Sequence, residues 1–252
     1  MKAIIFAAGM SSRLEELTTN LPKSCLVIDA GLTMIERNLL LLEKYGFDEV
    51  RIITGHAYEA FNTCIEQYKN KFKKLETIFN PLFKERNNIY TAYLTKDILD
   101  EKTLIINSDL VIAEKILALA KEAILKSDES FMLIDDFNKV DEESMKVYID
   151  DKQRITRVNK ALELEPSFGE YIGILRISRN DLNTFFTSIE KILNKEEFNL
   201  YYEDAIDRAA QEMNVLAVST EAADWTEIDT KEDYAQAKIF AAKLSSEIKV
   251  NN

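Results

Sequence analysis

The sequence has 252 residues, of which 46% are hydrophobic, and it contains only 6 glycines and 3 prolines. This composition supports a sizeable core and excludes an intrinsically disordered protein. The formal net charge of -12 argues against a long nucleic acid as partner, because a polyanionic backbone requires a basic surface.

The scarcity of histidine and cysteine limits the chemistry further. His56 is the one histidine of the sequence, which argues against a His dyad or a metal site built from several His ligands. Carboxylates would then have to hold any metal, which favours Mg²⁺ or Mn²⁺. Cys25 and Cys64 do not make a disulfide framework. With no membrane-length apolar run and no signal peptide, we expect a cytoplasmic protein that does not bind a membrane.

Residues 2–23 carry the first functional signal of the chain. Residues 2–7 are apolar and β-prone and predict a buried strand. Small residues follow the strand, so that backbone N–H groups can approach an anion, and the cations Arg13 and Lys23 suit a polyphosphate. An ordinary polar loop is the alternative interpretation. The residues predicted to bind phosphate are Ala7, Ala8, Gly9, Met10, Ser11, Ser12 and Arg13.

The rest of the first half alternates strands and helices, which predicts a mostly parallel, doubly wound α/β sheet. The predicted helices cover residues 33–45, 58–72, 88–99 and 112–125, and the predicted strands cover residues 49–54, 75–79 and 102–106. Gly9, Gly55, Asn80 and Asp109 each follow a predicted strand. Because ligands bind outside the carboxyl ends of such strands, we expect these residues at one edge of the sheet.

The second half is richer in strands, which predicts a β-rich addition to the α/β core. The predicted strands cover residues 131–135, 145–149, 155–158, 171–177 and 215–219, and the predicted helices cover residues 180–193, 203–211 and 231–244. No linker interrupts the chain. We therefore expect one domain over residues 1–252, with a nucleotide-binding half at 1–128 and an acceptor-binding half at 129–252.

Two aspartates lie where a metal could bind. Asp109 follows a predicted strand, and Asp229 lies in the segment Trp-Thr-Glu-Ile-Asp-Thr before the last predicted helix. Either carboxylate could hold a metal or cap the N-terminus of the next helix, and residue type alone leaves both interpretations open.

Taken together, these motifs resemble the nucleotidyltransferases that activate a phosphorylated small molecule with a nucleoside triphosphate. The family pattern is roughly G-x-G/S-x-R-L, then Leu-Thr, then Pro-Lys, and it is matched here by Gly9, Ser11, Arg13, Leu14, Leu17, Thr18, Pro22 and Lys23. Ser11 replaces the usual second Gly, and Glu16 replaces a common Pro. The resemblance implies a Rossmann-like fold of the nucleotide-diphospho-sugar transferase type, with Mg²⁺ held by Asp109 and Asp229.

The resemblance also implies a reaction. An anionic oxygen of the acceptor phosphate or phosphonate attacks the α-phosphorus of the nucleotide, and pyrophosphate leaves. No general base is required, so catalysis consists of positioning and charge stabilisation. Arg13 and the loop backbone are expected to hold the β- and γ-phosphates, with Lys23 near the α-phosphate or the incoming phosphate.

The middle of the chain resembles the cytidylyltransferases that act on phosphocholine and 2-aminoethylphosphonate. The matching residues are Asn80-Pro81 and then Asn87-Asn88-Ile89-Tyr90. We expect Asn80, Asn87 and Asn88 to bind CTP, because an amide offers both a donor and an acceptor to cytosine. A helix cap formed by Asn87 or Asn88 is the alternative.

Residues 170–174 and 201–205 resemble a further cytidylyltransferase branch that includes inositol-phosphate and phosphoglutamine enzymes. Glu170 and Glu203 are expected to meet an amine of the acceptor, with Tyr171 as a hydroxyl or aromatic wall and Lys160 as a further cation. We therefore expect CMP transfer to an amine-bearing phosphate for surface polysaccharide or capsule synthesis. Phosphoglutamine, giving CDP-glutamine, is the favoured acceptor, and phosphocholine or aminoethylphosphonate are the others. Solvated charge beside a core aromatic is the alternative.

Two other functions share part of this pattern. A sugar-1-phosphate nucleotidylyltransferase using UTP or dTTP would share the loop and both aspartates, but the Asn-Asn-Ile-Tyr segment argues against it. A nucleotide sensor without catalysis would be expected to lack Lys23 or one of the aspartates, and all of these are present.

Overall fold

The computed structural model of the protein describes residues 1–248. In this range the strands are β1 (Lys2–Ala7), β2 (Val27–Asp29), β3 (Leu32–Thr33), β4 (Glu49–Thr54), β5 (Lys74–Phe79), β6 (Thr103–Asn107), β7 (Leu110–Ile112), β8 (Ser130–Asp135), β9 (Lys146–Ile149), β10 (Ile155–Asn159), β11 (Gly169–Arg176), β12 (Val215–Ser219) and β13 (Trp225–Glu227). The α-helices are α1 (Met34–Lys44), α2 (Tyr58–Ile65), α3 (Asn88–Tyr93), α4 (Glu114–Lys126), α5 (Leu182–Asn194), α6 (Tyr202–Ala209) and α7 (Lys231–Lys243).

Contacts within the chain group it into two compact units, each built from separated stretches. The first unit comprises Met1–Phe83, Asn107–Ala118 and Ala223–Asn252, and the second comprises Lys84–Ile106 and Leu119–Ala222. Neither unit coincides with the predicted halves 1–128 and 129–252. The single domain over the whole chain stays a prediction.

The first unit contains a parallel sheet of β1, β4 and β5. β1 pairs with β4 from Lys2↔Glu49 to Ala7↔Thr54, and β4 pairs with β5 over its full length. Ile4, Ile5 and Ile52 are fully buried, as expected for parallel strands that are covered on both faces. Parallel neighbours need a crossover connection, which α1 and α2 provide.

The local signals at both ends of α1 confirm the predicted helix. At its start, Glu36 N donates to Thr33 Oγ1 at 3.3 Å and Thr33 N donates to Glu36 Oε2 at 2.8 Å, which is a reciprocal capping box. After its end, Gly46 takes a φ of 79°, a left-handed conformation that favours glycine.

The first unit also contains a two-stranded antiparallel ribbon of β7 and β13, which lies next to Asp109 and Asp229 in the sequence. The pairs are Ile112↔Trp225, Val111↔Thr226 and Leu110↔Glu227. The sequence predicted neither strand, and it predicted that a helix begins at residue 112. The helix begins at Glu114 instead, because Ile112 pairs with a strand from the far end of the sequence.

The second unit is dominated by antiparallel pairing around β11. β11 pairs with β6, β8 and β9, β9 pairs with β10, and β12 lies parallel to β8. Arg176 at the end of β11 is 2% exposed, and it donates to the carbonyl groups of Glu101, Ser127 and Glu129. This strand-rich unit agrees with the predicted β-rich addition.

Two predicted helices are shorter than expected. The helix predicted at 88–99 ends at Tyr93, where the buried Thr95 side chain donates to Ala92 O at 2.7 Å and so competes for a helix carbonyl. The helix predicted at 58–72 is α-helical only to Ile65 and continues as a 3₁₀ helix over Glu66–Lys71. Helix ends depend on such local competition, which periodicity does not report.

The predicted α/β fold class is confirmed, with a parallel sheet in the first unit and flanking helices. Within residues 1–248, no helix has both the length and the apolar character that crossing a membrane requires.

Gly55 provides a test of the packing behind the loop that follows β1. A methyl group added at Gly55 would lie 2.6 Å from Ala8 O and 2.7 Å from Phe83 Cβ. We expect Gly55→Ala to lower the free energy of unfolding by about 1–3 kcal/mol, as overpacking does. Denaturant unfolding measures the change.

Gly9→Ala is the matched control, because a Cβ at Gly9 meets no atom within 4 Å. It should leave the unfolding free energy close to that of the unmodified protein. Equal stability of both variants would contradict the close approach of Gly55 to the loop.

Candidate active site

The predicted phosphate-binding loop follows directly from the buried strand β1. Ala7 and Ala8 are 7% and 6% exposed, whereas Gly9 opens to free space. Ser11 takes a left-handed φ of 53°, and its carbonyl accepts from Leu14 N at 3.1 Å and from Thr18 Oγ1 at 3.0 Å. The loop is therefore held by its own residues while its small-residue tip stays open.

Lys23 joins the two predicted metal-binding aspartates. Its Nζ donates to Asp109 Oδ2 at 3.1 Å and to Asp229 Oδ1 at 2.9 Å. Burial lowers the pKa of Lys23, but the two carboxylates outweigh it, so the net pKa lies above the usual value. Lys23 is therefore a cation throughout the neutral pH range.

The ribbon of β7 and β13 places both aspartates. Asp109 immediately precedes β7, and Asp229 lies two residues beyond β13. Ile228 N donates to Asp109 O at 3.1 Å, which continues the pairing to the aspartates themselves. Ser108 N donates to Phe6 O at 3.1 Å, and this bond fixes the segment beside the end of β1.

The helix-capping alternatives for the two aspartates do not describe the structure. A strand, not a helix, follows Asp109, and the N-cap of α7 is Thr230, whose side chain accepts from Asp233 N. Asp233 Oδ2 in turn accepts from Asp229 N at 3.1 Å. The backbone of Asp229 is thus fixed by the helix start, while its carboxylate is directed to Lys23 and Arg13.

Arg13 is the second cation at this carboxylate pair. Its Nη2 donates to Asp229 Oδ2 at 2.8 Å, although the Arg13 side chain is 64% exposed. An exposed ion pair contributes little to stability and exchanges partners readily. The pair of Arg13 with Asp229 is therefore a weak one.

Several residues that the sequence analysis missed support this site. Arg37 and Asn38 of α1 are buried, and they donate to Ile112 O at 2.5 Å and to Leu110 O at 3.2 Å, so that α1 holds β7 in place. Lys231 donates to the carboxylates of Glu15 and Glu16 at 2.8 Å. The sequence offered one signal for this support, because the polar pair Arg37-Asn38 stands next to the apolar run of the predicted helix.

The carboxylate pair of Asp109 and Asp229 has the character of a site for a divalent cation. Asp109 Oδ1 is buried and has no hydrogen-bond partner within the described chain, although Oδ2 of the same group is bonded to Lys23. Residues 1–248 contain no group of three or more His, Cys, Asp or Glu side chains suited to a metal. Mg²⁺ is commonly held by one or two carboxylates together with substrate phosphates, so this pair fits Mg²⁺.

The three asparagines predicted for CTP make structural hydrogen bonds. Asn80 in the first unit accepts from Leu82 N at 2.9 Å. In the second unit, Asn87 accepts from Asn88 N at 2.7 Å and donates to Asn199 O, which is the capping alternative. Asn88 Oδ1 accepts from Tyr202 N at 3.0 Å. Contact with cytosine therefore stays a prediction for all three.

The second unit brings together Tyr171, Glu203 and Lys160 of the predicted acceptor site. Tyr171 and Tyr202 are hydrogen-bonded through their hydroxyl groups at 2.7 Å. Burial raises the pKa of Glu203 to about 8, with hydrogen bonding to Tyr202 and the charge of Lys160 acting in the opposite direction. Lys160 Nζ lies 5.9 Å from the ring centroid of Tyr201.

Glu170 does not join this cluster. It precedes Tyr171 on β11, where successive side chains point to opposite faces. Burial raises the pKa of Glu170, and the carboxylates of Asp141 and Asp135 add to the effect against hydrogen bonds from Ser144 and Met145. The contact of Glu170 with an acceptor stays a prediction, and it does not rest on the cluster of Tyr171, Glu203 and Lys160.

Comparison with known proteins places the chain in a family. The sequence model of the nucleotidyl transferase family matches residues 2–160, which is more than half of the chain. The chain belongs to the nucleotidyl transferase family. The family resemblance predicted from the sequence is therefore confirmed, together with the class of enzyme that it implies.

Curated relatives of the family match nearly the whole chain. A choline-phosphate cytidylyltransferase of Haemophilus influenzae is 25% identical and covers 93% of this chain and 94% of its own. A CTP:phosphoglutamine cytidylyltransferase of Campylobacter jejuni is 24% identical, covering 92% of this chain and 97% of its own. These relatives support the predicted small-molecule cytidylyltransferase branch.

A solved structure of the CTP:phosphocholine cytidylyltransferase from Streptococcus pneumoniae has a TM-score of 0.74 at 21% identity. The match covers 95% of this chain and 98% of that chain. At this identity the likeness shows the fold, and it confirms the fold type that the family resemblance implies.

Removal of Lys23, the cation that contacts both Asp109 and Asp229, tests the electrostatics of this site. Lys23→Met leaves two neighbouring carboxylates without their common counter-charge. Because both carboxylates are partly exposed, we expect a loss of about 1–2 kcal/mol in unfolding free energy, below the ~3–5 kcal/mol of fully buried pairs. Denaturant unfolding without and with Mg²⁺ measures it, and Mg²⁺ should stabilise the variant.

Lys231→Met is the control, because its ion pairs with Glu15 and Glu16 involve side chains that are 67% and 71% exposed. It should change stability little and should not alter the response to Mg²⁺. A Lys23→Met protein as stable as the unmodified one, and indifferent to Mg²⁺, would contradict the role of Lys23 as counter-charge.

Proposed function

We propose that this protein is a CTP-dependent cytidylyltransferase that transfers CMP to the phosphate of a small, amine-bearing acceptor and releases pyrophosphate. The favoured acceptor is phosphoglutamine, giving CDP-glutamine for surface polysaccharide or capsule synthesis. The observation that carries the proposal is the contact of Lys23 Nζ with both Asp109 and Asp229. It gathers the three charged groups that the family resemblance assigns to the reaction.

The triphosphate is assigned to the loop after β1. The open space at Gly9 leaves room beside the backbone N–H groups of the loop, which favour an anion. Arg13 is exposed and its ion pair with Asp229 is a solvent-exposed one, so it is available for the β- and γ-phosphates.

Mg²⁺ is assigned to Asp109 and Asp229. When bound, it would neutralise phosphate charge and polarise the phosphoryl group. The unpartnered Oδ1 of Asp109 supports this assignment, because a buried carboxylate oxygen without a donor is costly unless a ligand supplies its partner.

Lys23 is assigned to offset the negative charge that accumulates as the acceptor phosphate approaches the triphosphate. The acceptor phosphate is already anionic near neutral pH, so its attack on the α-phosphorus needs no proton acceptor. Lys23 remains protonated and lowers the repulsion between the acceptor phosphate and the triphosphate. The single histidine is used elsewhere, since His56 Nε2 is hydrogen-bonded to Thr18 O at 2.6 Å.

The choice of CTP and of an amine-bearing acceptor rests on the relatives and on Glu203. The names of the matched relatives specify CTP or cytidylyl transfer, with choline phosphate or phosphoglutamine as acceptors. Glu203 provides a buried carboxyl, and Lys160 lies on the exposed side of the same cluster. A carboxyl and an ammonium in one cluster suit a zwitterionic amino-acid acceptor.

Substrate profiling tests the reaction. Pyrophosphate release is measured with Mg²⁺ while the four ribonucleoside triphosphates and dTTP are crossed with phosphoglutamine, phosphoethanolamine, phosphocholine, aminoethylphosphonate, an inositol phosphate and a sugar 1-phosphate. Turnover is expected with CTP and an amine-bearing acceptor. Turnover with UTP or dTTP and the sugar phosphate would identify a sugar-1-phosphate nucleotidylyltransferase, and CTP binding without any turnover would favour a sensor.

Isosteric substitutions test the metal assignment. Asp109→Asn and Asp229→Asn each remove one negative charge, and we expect kcat/KM to fall by about 100-fold or more because metal and phosphate charge are no longer balanced. Binding of Mn²⁺, followed by electron paramagnetic resonance in the presence of CTP, should weaken in parallel.

Asp48→Asn is the control, because this exposed carboxylate precedes β4 and pairs with Lys73 at 3.1 Å. It should retain normal turnover and metal binding. Near-normal turnover of either site variant at saturating Mg²⁺ would overturn the assignment of the metal to these aspartates.

A further inference from the structure

Glu203 is a buried carboxyl with an unsatisfied oxygen. The residue is 4% exposed, and Oε2 has no hydrogen-bond partner within residues 1–248. Tyr202 is hydrogen-bonded to this carboxyl, but Oε2 loses its hydration and gains no donor in return, which destabilises the fold. A donor supplied by a ligand would satisfy Oε2.

The helix that carries Glu203 is held in place by hydrogen bonds to two of its other acidic side chains. Asp207 of α6 accepts from Arg157 Nε at 2.8 Å and from Val158 N at 2.9 Å. Asp204 accepts from Asn159 Nδ2 at 2.9 Å and from Tyr201 N at 2.7 Å. These bonds tie both ends of the helical turn around Glu203 to neighbouring backbone and to β10.

The aromatic rings around Glu203 are not arranged to receive a quaternary ammonium. Tyr171 and Tyr202 are 4% and 0% exposed, and their rings pack edge to face with centroids 6.4 Å apart. Tyr201 is 37% exposed, but Lys160 Nζ already lies over its ring. A trimethylammonium group needs open aromatic faces, and this cluster provides none that is unoccupied.

We infer that Glu203 selects acceptors whose cationic nitrogen carries at least one hydrogen, and that it discriminates against fully methylated ammonium groups. The inference rests on the proposed function, because it assumes that the amine of the acceptor binds here. A primary ammonium has three N–H donors, one of which can satisfy Oε2, whereas a trimethylammonium has none. Hydrogen bonds between ionised groups are the stronger ones, so the difference is large enough to set specificity.

Stepwise methylation of the acceptor nitrogen tests the inference on the unmodified protein. The amine-bearing acceptors of the substrate panel are compared with their mono-, di- and trimethylated forms, which for phosphoethanolamine ends at phosphocholine. We expect KM to rise modestly with the first two methyl groups and then by about tenfold or more at the third, where the last N–H is lost. Isothermal titration of the same series in the presence of CTP without Mg²⁺ gives binding independently of turnover.

Glu203→Gln removes the negative charge of the side chain and keeps its size, so it separates the effect of hydrogen bonding from the effect of size. We expect KM of the unmethylated acceptor to rise by about tenfold, since a neutral amide oxygen is a weaker partner for an ammonium, with a smaller change in kcat. In this variant, the rise in KM at the third methyl group should be smaller than in the unmodified protein. Glu212→Gln is the matched control, because Glu212 is exposed in the same unit, and it should keep the behaviour of the unmodified protein.

The outcomes separate this inference from the proposed function. Absence of pyrophosphate release with CTP and every acceptor would defeat the proposed function and the inference with it. Turnover with CTP and an amine-bearing acceptor would support the function, while a smooth rise of KM through the series or a preference for the trimethylated acceptor would overturn the inference alone. Turnover with CTP and only an acceptor that has no amine would overturn the inference together with the proposed acceptor class, and would leave CTP-dependent transfer standing. An unaltered methylation series in a folded Glu203→Gln variant would also overturn it.

Discussion

One ammonium group, that of Lys23, serves as the counter-charge of two carboxylates. Asp109 and Asp229 lie 3.1 and 2.9 Å from it, so neither carboxylate can be considered apart from the other. Two carboxylates this close repel each other unless a cation stands nearby. Together with Arg13 the group is charge-balanced without a ligand. Under the proposed function, a divalent metal would take over the carboxylates, and Lys23 and Arg13 would then be released to meet the remaining negative charge of the nucleotide.

This balance requires segments that are far apart in sequence to meet within a few ångströms. Lys23 is separated from Asp109 by 86 positions and from Asp229 by 206 positions. The meeting is enforced by a small apolar core that includes Leu14, Val111 and Ile228, so the loop, β7 and the segment after β13 are packed on the same side chains. Closing long loops costs little more free energy than closing short ones, whereas the burial of these side chains is gained only when all three segments are in place.

The sequence predicts what local signals encode. The parallel strands, helix α1 with Gly46 after its end, and the loop of small residues after β1 all follow from apolar runs, periodicity and glycine at short range. The ribbon of β7 and β13 could not be predicted in this way, because each strand is only a few residues long and is specified by a partner from the other end of the chain. The family resemblance identified Asp109 and Asp229 as a pair, but it gave no indication that Lys23 joins them or that Arg37 supports β7 from behind. Such contacts depend on side-chain packing, not on periodicity.

Unsatisfied buried oxygens do not all have the same meaning. The amide oxygen of Asn38 and the hydroxyl of Thr220 also lack hydrogen-bond partners within the described chain. A neutral group without a partner loses about one hydrogen bond, which a fold tolerates. A carboxyl group loses far more when it ionises, so the protein must protonate it, pair it or bind a cation there. Asp109 is paired through its other oxygen with Lys23, whereas Glu203 has its pKa raised to about 8. Asp109 thus already has a cationic partner, whereas Glu203 is kept largely neutral at rest, and under our inference an ammonium with an N–H donor would restore its charge.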